Sequence, residues 1–544
     1  MNEEVYDMYV TPGKVKNIDT TFFCNVFHID KNYFDSTMAV AEAYSKRRPS
    51  LFLRGLTKEE FARAADVMVN FKGFNFELSF FRNYPDKTLA NALGYIAEIP
   101  KEQYESQTDK YYRKGDYIGL TGLEKSYEKE LRGVRGVSYT LMNVKGEDKG
   151  RYENGAKDTL AIAGQDLYST IDLELQLLAD SLFQNKTGAV VAIEPKTGEI
   201  LVMGSYPTYD PNLLAGKEFS KNYAMLLRNP DKPTFNRTIS SFYRPGSTFK
   251  LLQSVVGMQL GVINPNTSLV GSWSPMKCHG HGPGHMVNIT RAIQFSCNPY
   301  FYNVFKRIIA DTNEKNPFLG ARQGLTQWRN IVERFGFGTH LGIDIPGEKE
   351  QLLPNLDLYD KYYGKDQWKF SNIASLSIGE GELGLDVLKL ANLAATIANK
   401  GYWLTPHLVR GVGADKQNVR PELVKVHQTG VDPKHFDAIY EGMELVVKAG
   451  TARRAYIPDI PILGKTGTSE NRRGRDHAVF IAFAPRENPQ IAIAAVVENA
   501  GFGGSSSGPI SSLIIEKYIR GYITRKGMVE AISNQKFTTV AGSN

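Results

Sequence analysis

Two pairs of apolar, strand-length runs stand far apart in this chain, and each pair has the form of an antiparallel hairpin. Ala189–Ile193 and Ile200–Met203 flank "EPKTGE", residues 194–199. Pro, Lys, Thr and Gly between two such runs make a turn. Ala478–Ala484 and Ile491–Val497 are joined by "PRENPQ" and preceded by "GKTGTSE", residues 464–470. Helical patterns fall between the pairs. One covers Ser247–Leu260. The other, "LDVLKLANLAATIANKG", carries Leu385, Leu388, Leu390, Leu393 and Ile397 and closes on Gly401. Helices alternating irregularly with antiparallel hairpins predict a mixed α/β layer fold.

The pattern changes near residue 165. Residues 1–160 are polar, rich in Tyr, Lys and Glu, and interrupted by Gly and Pro. Helical periodicity shows at 57–72 (Phe61, Ala64, Val67, Met68), with short strands and turns expected elsewhere. This part reads as an extended or modular region rather than one compact core. Residues 161–544 read as a second unit. It opens on "STIDLELQLLADSLFQ", a helix for which Ser169 or Thr170 is the expected N-cap. With 544 residues, 42% hydrophobic and 23% charged, the chain has material for several globular domains.

Charge excludes little except nucleic acid. The net charge of +7 is spread out, and its densest clusters, Lys46-Arg47-Arg48, Arg453-Arg454 and Arg472-Arg473, are short. Nucleic-acid binding wants a denser stripe with interleaved aromatics. A mildly positive surface suits a site near anionic lipid or an anionic polymer. Three cysteines, Cys24, Cys278 and Cys297, make no disulfide framework. There is no signal peptide and no apolar run of ~18 residues. "MNEEVYDMYV" reads as the interior of an extended segment rather than a leader.

Lys-Thr-Gly occurs twice. The copy at 196–198 falls at a hairpin tip, where glycine supplies turn geometry. The copy at 465–467 leads into a sheet that continues beyond it. There Lys465 offers a positive charge, Thr466 and Thr468 offer hydroxyls, and Gly467 allows a close backbone approach. Such a strand edge can pair with an extended peptide and recognise a terminal carboxylate.

"YRPGSTFKLLQSVVGMQLG", 243–261, breaks at Pro245-Gly246 and then turns apolar at Phe249, Leu252, Val255, Val256 and Leu260. Ser247 falls in the first turn of a largely buried helix, with Lys250 on the same face. A serine hydroxyl needs a base, and a lysine kept neutral by burial can be one. The free N–H groups of the turn favour developing negative charge. Ser-x-x-Lys recurs at Ser126–Lys129, Ser274–Lys277 and Ser533–Lys536, but none of those opens an apolar helix behind Pro-Gly. "QFSCNPYF" adds Ser296 and Asn298: a serine that can relay protons, and an amide that can hold a substrate carbonyl or anchor the lysine.

Ser-x-x-Lys, Ser-x-Asn and Lys-Thr-Gly in that order are a signature of penicillin-binding proteins and serine β-lactamases. "FRNYPDKTLANALGYIAEI", "GLTGLEKSYEKELRGVRG", "NRTISSFYRPGSTFK", "SIGEGELGLDVLKLANLAATIANKGYWLTPHLV" and "GKTGTSE" extend the likeness. Over most of its length the chain resembles class B penicillin-binding proteins, and within them the elongation-type penicillin-binding-protein-2 subgroup. "IPGEKEQLLPN" and "FGGSSSGPIS" add to that subgroup likeness.

The resemblance implies an antiparallel sheet covered by helices over 161–544 and a non-catalytic α+β pedestal, of the dimerisation type, over 1–160. It implies a D,D-transpeptidase that cross-links D-Ala-D-Ala stem peptides of peptidoglycan and is a β-lactam target. Ser247 would attack the penultimate D-Ala carbonyl, Lys250 would take its proton, and Ser296, with Lys465, would pass it to the leaving amine. Asn298 would hold the acyl-peptide amide. The N–H groups of Ser247 and Thr468 would form the oxyanion hole, and Thr466 and Thr468 would bind the terminal carboxylate. An amine from a second stem peptide would resolve the acyl-enzyme. The family carries an N-terminal membrane helix, absent from this sequence, so the expected location is the periplasmic face of the bacterial inner membrane. The expected partners are a SEDS-family glycosyltransferase and a cell-shape scaffold protein.

"KCHGHGPGHMVN" supplies Cys278, His279, His281 and His285, and Cys297 lies inside Ser-x-Asn. Two thiols and two imidazoles match the tetrahedral preference of Zn²⁺. Cys278, His281, His285 and Cys297 are the candidate ligands of a structural zinc, with His279 as an alternative to His281. No cofactor is required for the chemistry. The competing readings are a D,D-carboxypeptidase or β-lactamase, and a β-lactam sensor or silent scaffold. A β-lactamase needs only about half this length and a deacylating base that the sequence does not reveal.

Overall fold

The computed structural model describes residues 2–537 apart from 109, 114, 145–147, 271–273, 279–284, 311–312 and 473. Its first unit is a three-stranded antiparallel sheet with β1 (Asn2–Val10) between β2 (Ser50–Leu56) and β3 (Phe74–Arg82). Helices α1 (Thr20–Phe27), α2 (Lys31–Tyr44) and α3 (Lys58–Ala65) accompany it. Asp19, Asp30 and Thr57 cap the three helices, and Thr57 and Glu60 close a reciprocal capping box.

Of an extended or modular region, residues 8–74 show the modular form: they enclose their own core. Phe23 packs against Phe27, Phe34, Phe52, Phe71 and Phe74 at centroid distances of 4.6, 5.2, 5.6, 4.8 and 4.7 Å. These rings come from several elements, each giving one or two, so no single stretch shows the periodicity of a buried face. Short antiparallel pairs such as Ile96–Glu98 with Tyr117–Gly119 follow this core.

The pedestal is keyed into the second unit through a buried carboxylate. Asp344 accepts from Tyr127 Oη at 2.9 Å and from the N–H groups of Leu408 and Val409 at 2.8 and 3.0 Å. The Arg420 guanidinium lies over the Tyr127 ring at 4.0 Å and pairs with Glu130.

The second unit is built on a five-stranded antiparallel sheet. Its strands are β4 (Gly188–Ile193), β5 (Ile200–Tyr206), β6 (Leu463–Ser469), β7 (His477–Ala484) and β8 (Ile491–Val497), in the order β5-β4-β8-β7-β6. Both predicted hairpins thus enter one sheet, joined by β8 against β4. Helix α4 (Leu173–Leu182) packs on β5 and helix α8 (Val387–Ala398) on β4, β7 and β8. Helix α10 (Ser507–Arg520) packs on β7, β8 and α4. Every residue of β4, β5 and β8 is buried. Cover on both faces is why these strands read as unbroken apolar runs rather than as alternation.

Lys196-Thr197-Gly198 lies in the β4–β5 turn, with Gly198 at φ +79°. The expected cap at Ser169 or Thr170 is replaced by Asp172, whose carboxylate accepts from Leu175 N. Thr170 is otherwise engaged, with its hydroxyl 2.6 Å from the Ile200 carbonyl oxygen. In the chain between β5 and β6 come α5 (Lys250–Gln259), α6 (Ile289–Gln294), α7 (Asn298–Ala310) and α9 (Phe436–Ala449). Helix α5 packs on α7 and α9, and α6 packs on α9. No helix among the described residues is long and apolar enough to cross a membrane.

Candidate active site

The Ser247 turn is wedged between two pieces of backbone. Gly246 stands at φ +52° and donates its N–H to the Gly379 carbonyl at 3.0 Å. A Cβ at 246 would lie 2.2 Å from the Thr468 carbonyl oxygen and 3.1 Å from Thr468 N. Gly467 answers from the other side: a Cβ there would meet the Pro245 carbonyl at 2.9 Å and the Thr248 methyl at 3.0 Å. The space that glycine leaves at 467 is thus taken up by the chain's own serine turn. The tight 3₁₀ turn Gly246–Phe249 leads into α5, leaving Ser247 half-buried and Lys250 fully buried one turn further on.

Gly246→Ala tests this wedge. The left-handed backbone alone costs an alanine roughly 1–2 kcal/mol, and its methyl group must push the turn from β6. A displacement of about 1 Å at a reacting group costs roughly 100-fold in rate. The expected result is a loss of that order in penicillin acylation, measured by stopped-flow fluorescence. Gly261 is the control: φ is +70° but a Cβ there meets nothing within 4 Å. Gly261→Ala should keep the acylation rate, and equal losses in both variants would refute the wedge.

Ser296-Cys297-Asn298 occupies the corner between α6 and α7. Ser296 sits at φ +55°, a conformation uncommon outside glycine and frequent at strained functional corners. The Lys250 ammonium nitrogen lies 2.9 Å from the Ser296 carbonyl, 3.2 Å from Ser296 Oγ and in contact with Asn298 Oδ1. Lys465 also reaches Ser296 Oγ, at 3.0 Å, and the Thr466 carbonyl at 2.9 Å. Asn298 uses its other end on the Lys277 carbonyl, at 3.1 Å, so its amide anchors the lysine.

Among the described residues β6 is the free edge of the sheet, paired only with β7 through Lys465↔Ile481, Thr466↔Phe480 and Gly467↔Val479. Alternation along it sends Lys465 and Gly467 to one face and Thr466 and Thr468 to the other. The Thr466 hydroxyl lies 2.6 Å from that of Thr451.

Both lysines are buried, and among the described residues neither hydrogen-bonds a carboxylate. Burial pushes the Lys250 amine down to about 7. Burial, and then the charge of Lys250, hold Lys465 well below the ordinary lysine value. Two amines share one serine hydroxyl, an arrangement that favours proton movement over fixed charge.

These groups line or back one cleft of about 560 Å³. Its wall includes Ser247, Ser296, Asn298 and Thr466-Gly467-Thr468. It also includes Glu380, Thr451, Glu470, Asp476 and the 77% exposed Phe502, none of which the sequence reading singled out. For Glu380 a signal existed: "IGEGE" places a carboxyl between Gly379 and Gly381, both at positive φ. A larger cavity of about 670 Å³, walled by Leu89, Leu93, Leu123 and Leu408, lies at the pedestal junction and holds none of the motif residues. The other Ser-x-x-Lys copies stay outside the cleft.

Behind the cleft, ligand atoms of Cys278, His285 and Cys297 lie within 4.8 Å of one another, with His285 Nε2 3.0 Å from Cys297 Sγ. Donors on a tetrahedral zinc stand roughly 3.3–3.8 Å apart, so this trio fits such an ion with little rearrangement. His279 and His281 lie outside the described residues.

The penicillin binding protein transpeptidase domain family matches residues 188–516, and the penicillin-binding protein dimerisation domain family matches residues 1–169. The peptidoglycan D,D-transpeptidase MrdA of Acinetobacter baumannii is 31% identical over 541 residues, covering 93% of this chain and 76% of that one. The crystal structure of Pseudomonas aeruginosa PBP2 in complex with WCK 5153 is 30% identical, covers 82% of this chain and 93% of that one, and has a TM-score of 0.67. The complex between PBP2 and MreC of Helicobacter pylori shares the fold at a TM-score of 0.77 and 23% identity, covering 96% of each chain. With two family matches that together span pedestal and catalytic unit, and the three motifs meeting in one cleft, the chain belongs to the penicillin-binding protein transpeptidases, in the two-domain form typified by PBP2.

Proposed function

We propose that this chain cross-links peptidoglycan through a Ser247 acyl-enzyme and is acylated at the same oxygen by β-lactams. The observation that carries the reading is the meeting of Lys250 and Lys465 on Ser296 Oγ, between the Ser247 turn and the free edge of β6. A D-Ala-D-Ala peptide lies along that edge, its terminal carboxylate at Thr466 and Thr468. Ser247 Oγ attacks the penultimate carbonyl and Lys250 takes the proton. The developing oxyanion is received by the backbone N–H groups of Ser247 and Thr468, a reading supported by the close approach of the Gly246 and Thr468 backbones. Ser296 and Lys465 pass the proton to the leaving D-Ala. Asn298 positions Lys250 and closes the end of the cleft on the acyl-peptide amide. Every step uses the chain's own groups, with no cofactor.

We place the pedestal at residues 1–160 and the transpeptidase domain at 161–544. The chain works at the periplasmic face of the inner membrane, beside a SEDS-family glycosyltransferase and a cell-shape scaffold protein. The H. pylori PBP2–MreC complex supports the scaffold partner.

Labelling with a fluorescent penicillin followed by peptide mapping tests the reading. The expected adduct is long-lived and lies on the peptide carrying Ser247. Rapid loss of label would establish a hydrolase instead, and no label a scaffold.

In the same reading Cys278, His285 and Cys297 hold a structural zinc that ties the segment before α6 to the Ser-x-Asn corner, with His281 as fourth ligand. Metal analysis of the purified protein should find about one zinc per chain, lost in Cys297→Ser. Protein free of zinc that labels and melts like the zinc-replete protein would refute this site.

A further inference from the structure

We propose that the carboxyl wall of the cleft, Glu380 backed by Glu470 and Asp476, is the subsite that receives the cationic amine of the acceptor strand. The proposal rests on the transpeptidase reading, since only that reaction brings an amine to the acylated serine.

Glu380 is placed for the task by backbone that also shapes the nucleophile turn. Its neighbour Gly379 accepts the Gly246 N–H, and a Cβ on Gly379 would lie 2.1 Å from the Gly246 carbonyl. The side chain lies in the same cleft as Ser247 and is only 7% exposed. Its Oε1 accepts a long bond of 3.4 Å from Glu470 N. Its Oε2 is buried and accepts no hydrogen bond among the described residues.

The charged groups facing it are Arg244, Glu470 and Asp476. Arg244 is a weak partner. Its Nε stands 3.7 Å from Oε2 and donates instead to the Gly381 carbonyl at 3.1 Å, while Nη1 goes to the Glu470 carbonyl at 3.4 Å. Oε2 is sealed from solvent, so what a ligand meets is the balance of charge on the wall: three carboxyls face one arginine, which stands 3.7 Å away. An ammonium group in the cleft supplies the opposite charge, with three donors.

Burial and then the charge of Glu470 push the Glu380 carboxyl up to about 7. A group with that affinity can take a proton from an ammonium ion as well as bind it. The acceptor R–NH₃⁺ gives one proton to Glu380, leaving R–NH₂. The amine nitrogen then forms a bond to the acyl carbon, the acyl carbon–Oγ bond breaks, and Ser247 Oγ takes the proton that the nitrogen sheds. The proton on Glu380 returns to solvent. The donor site at Thr466 and Thr468 reads a carboxylate, so the two ends of one cleft carry opposite preferences.

The test is partition of the acyl-enzyme. Parent and Glu380→Gln are acylated with an N-acyl-D-alanyl thioester in the presence of glycinamide, largely cationic at neutral pH, or of hydroxylamine, which is neutral there. The ratio of amide to free acid is read in each case. Only molecules that have acylated contribute, so an unfolded fraction drops out. Glu380→Gln should lower the ratio about tenfold or more with glycinamide, the size of one charge-assisted hydrogen bond, and leave it within about twofold with hydroxylamine. The parent's ratio with glycinamide should also show an inflection near pH 7 that the variant lacks. An unchanged ratio with glycinamide, or equal losses with both nucleophiles, overturns the subsite while the Ser247 reading stands. A parent that never acylates removes that reading, and the subsite with it.

Discussion

Ser247→Ala is expected to abolish covalent labelling by penicillin, with a rate at least about 10³-fold below the parent. Four other hydroxyls line the cleft, those of Ser296, Thr451, Thr466 and Thr468. Ser296 is the one competitor with a base, but both lysine nitrogens already hold its oxygen at 3.0 and 3.2 Å. Its residue sits in a left-handed corner locked between two helices. Thr466 is bonded to Thr451, and Thr468 lies on the strand edge that the substrate must cover. The Ser247 turn faces the cleft at the head of α5, where the free N–H groups of a helical turn favour a developing oxyanion. The measurement is gel fluorescence with mass spectrometry of intact protein. A mass increase on the alanine variant equal to that on the parent would move the nucleophile to Ser296.

Lys250→Met is expected to slow acylation by about 10²–10⁴, the usual contribution of a positioned general base. Because burial brings its amine down to about 7, the neutral form grows as pH rises through that value. The parent's acylation rate should therefore climb through pH 7 and level off, and the variant's should be low throughout. Stability carries the same signature. Between about pH 7 and the ordinary lysine range the unfolded chain binds a proton at residue 250 that the folded chain does not. Unfolding free energy then rises with pH across that window, and Lys250→Met removes this component of the slope. Stopped-flow acylation and denaturant titrations over the same pH range check both halves. A variant within tenfold of the parent would hand the proton to Lys465.

Much of this site was legible in one dimension. Pro-Gly ahead of an apolar helix singled out Ser247 among four Ser-x-x-Lys copies, and the apolar runs after residue 470 separated the strand copy of Lys-Thr-Gly from the turn copy. Those are local signals: a break, a periodicity, a neighbour. The misreadings were of another kind. Thr170 looked like a cap because the sequence does not show that its hydroxyl is directed at Ile200. The pedestal core went unseen because its phenylalanines are scattered over strands and helices that meet only when folded. Glu380 passed as one acidic residue among glycines.

The sequence by itself determined which groups can react: a serine behind a helix break, two lysines, a second serine, and a strand able to stand at a sheet edge. Each of these is chemistry or periodicity carried by a few neighbouring residues. Tertiary structure decided the rest. It put β6 at the margin, brought both amines to one hydroxyl, depressed their proton affinity and raised that of Glu380. Those properties depend on burial and on distances between remote segments, which exist only once long-range packing has excluded water.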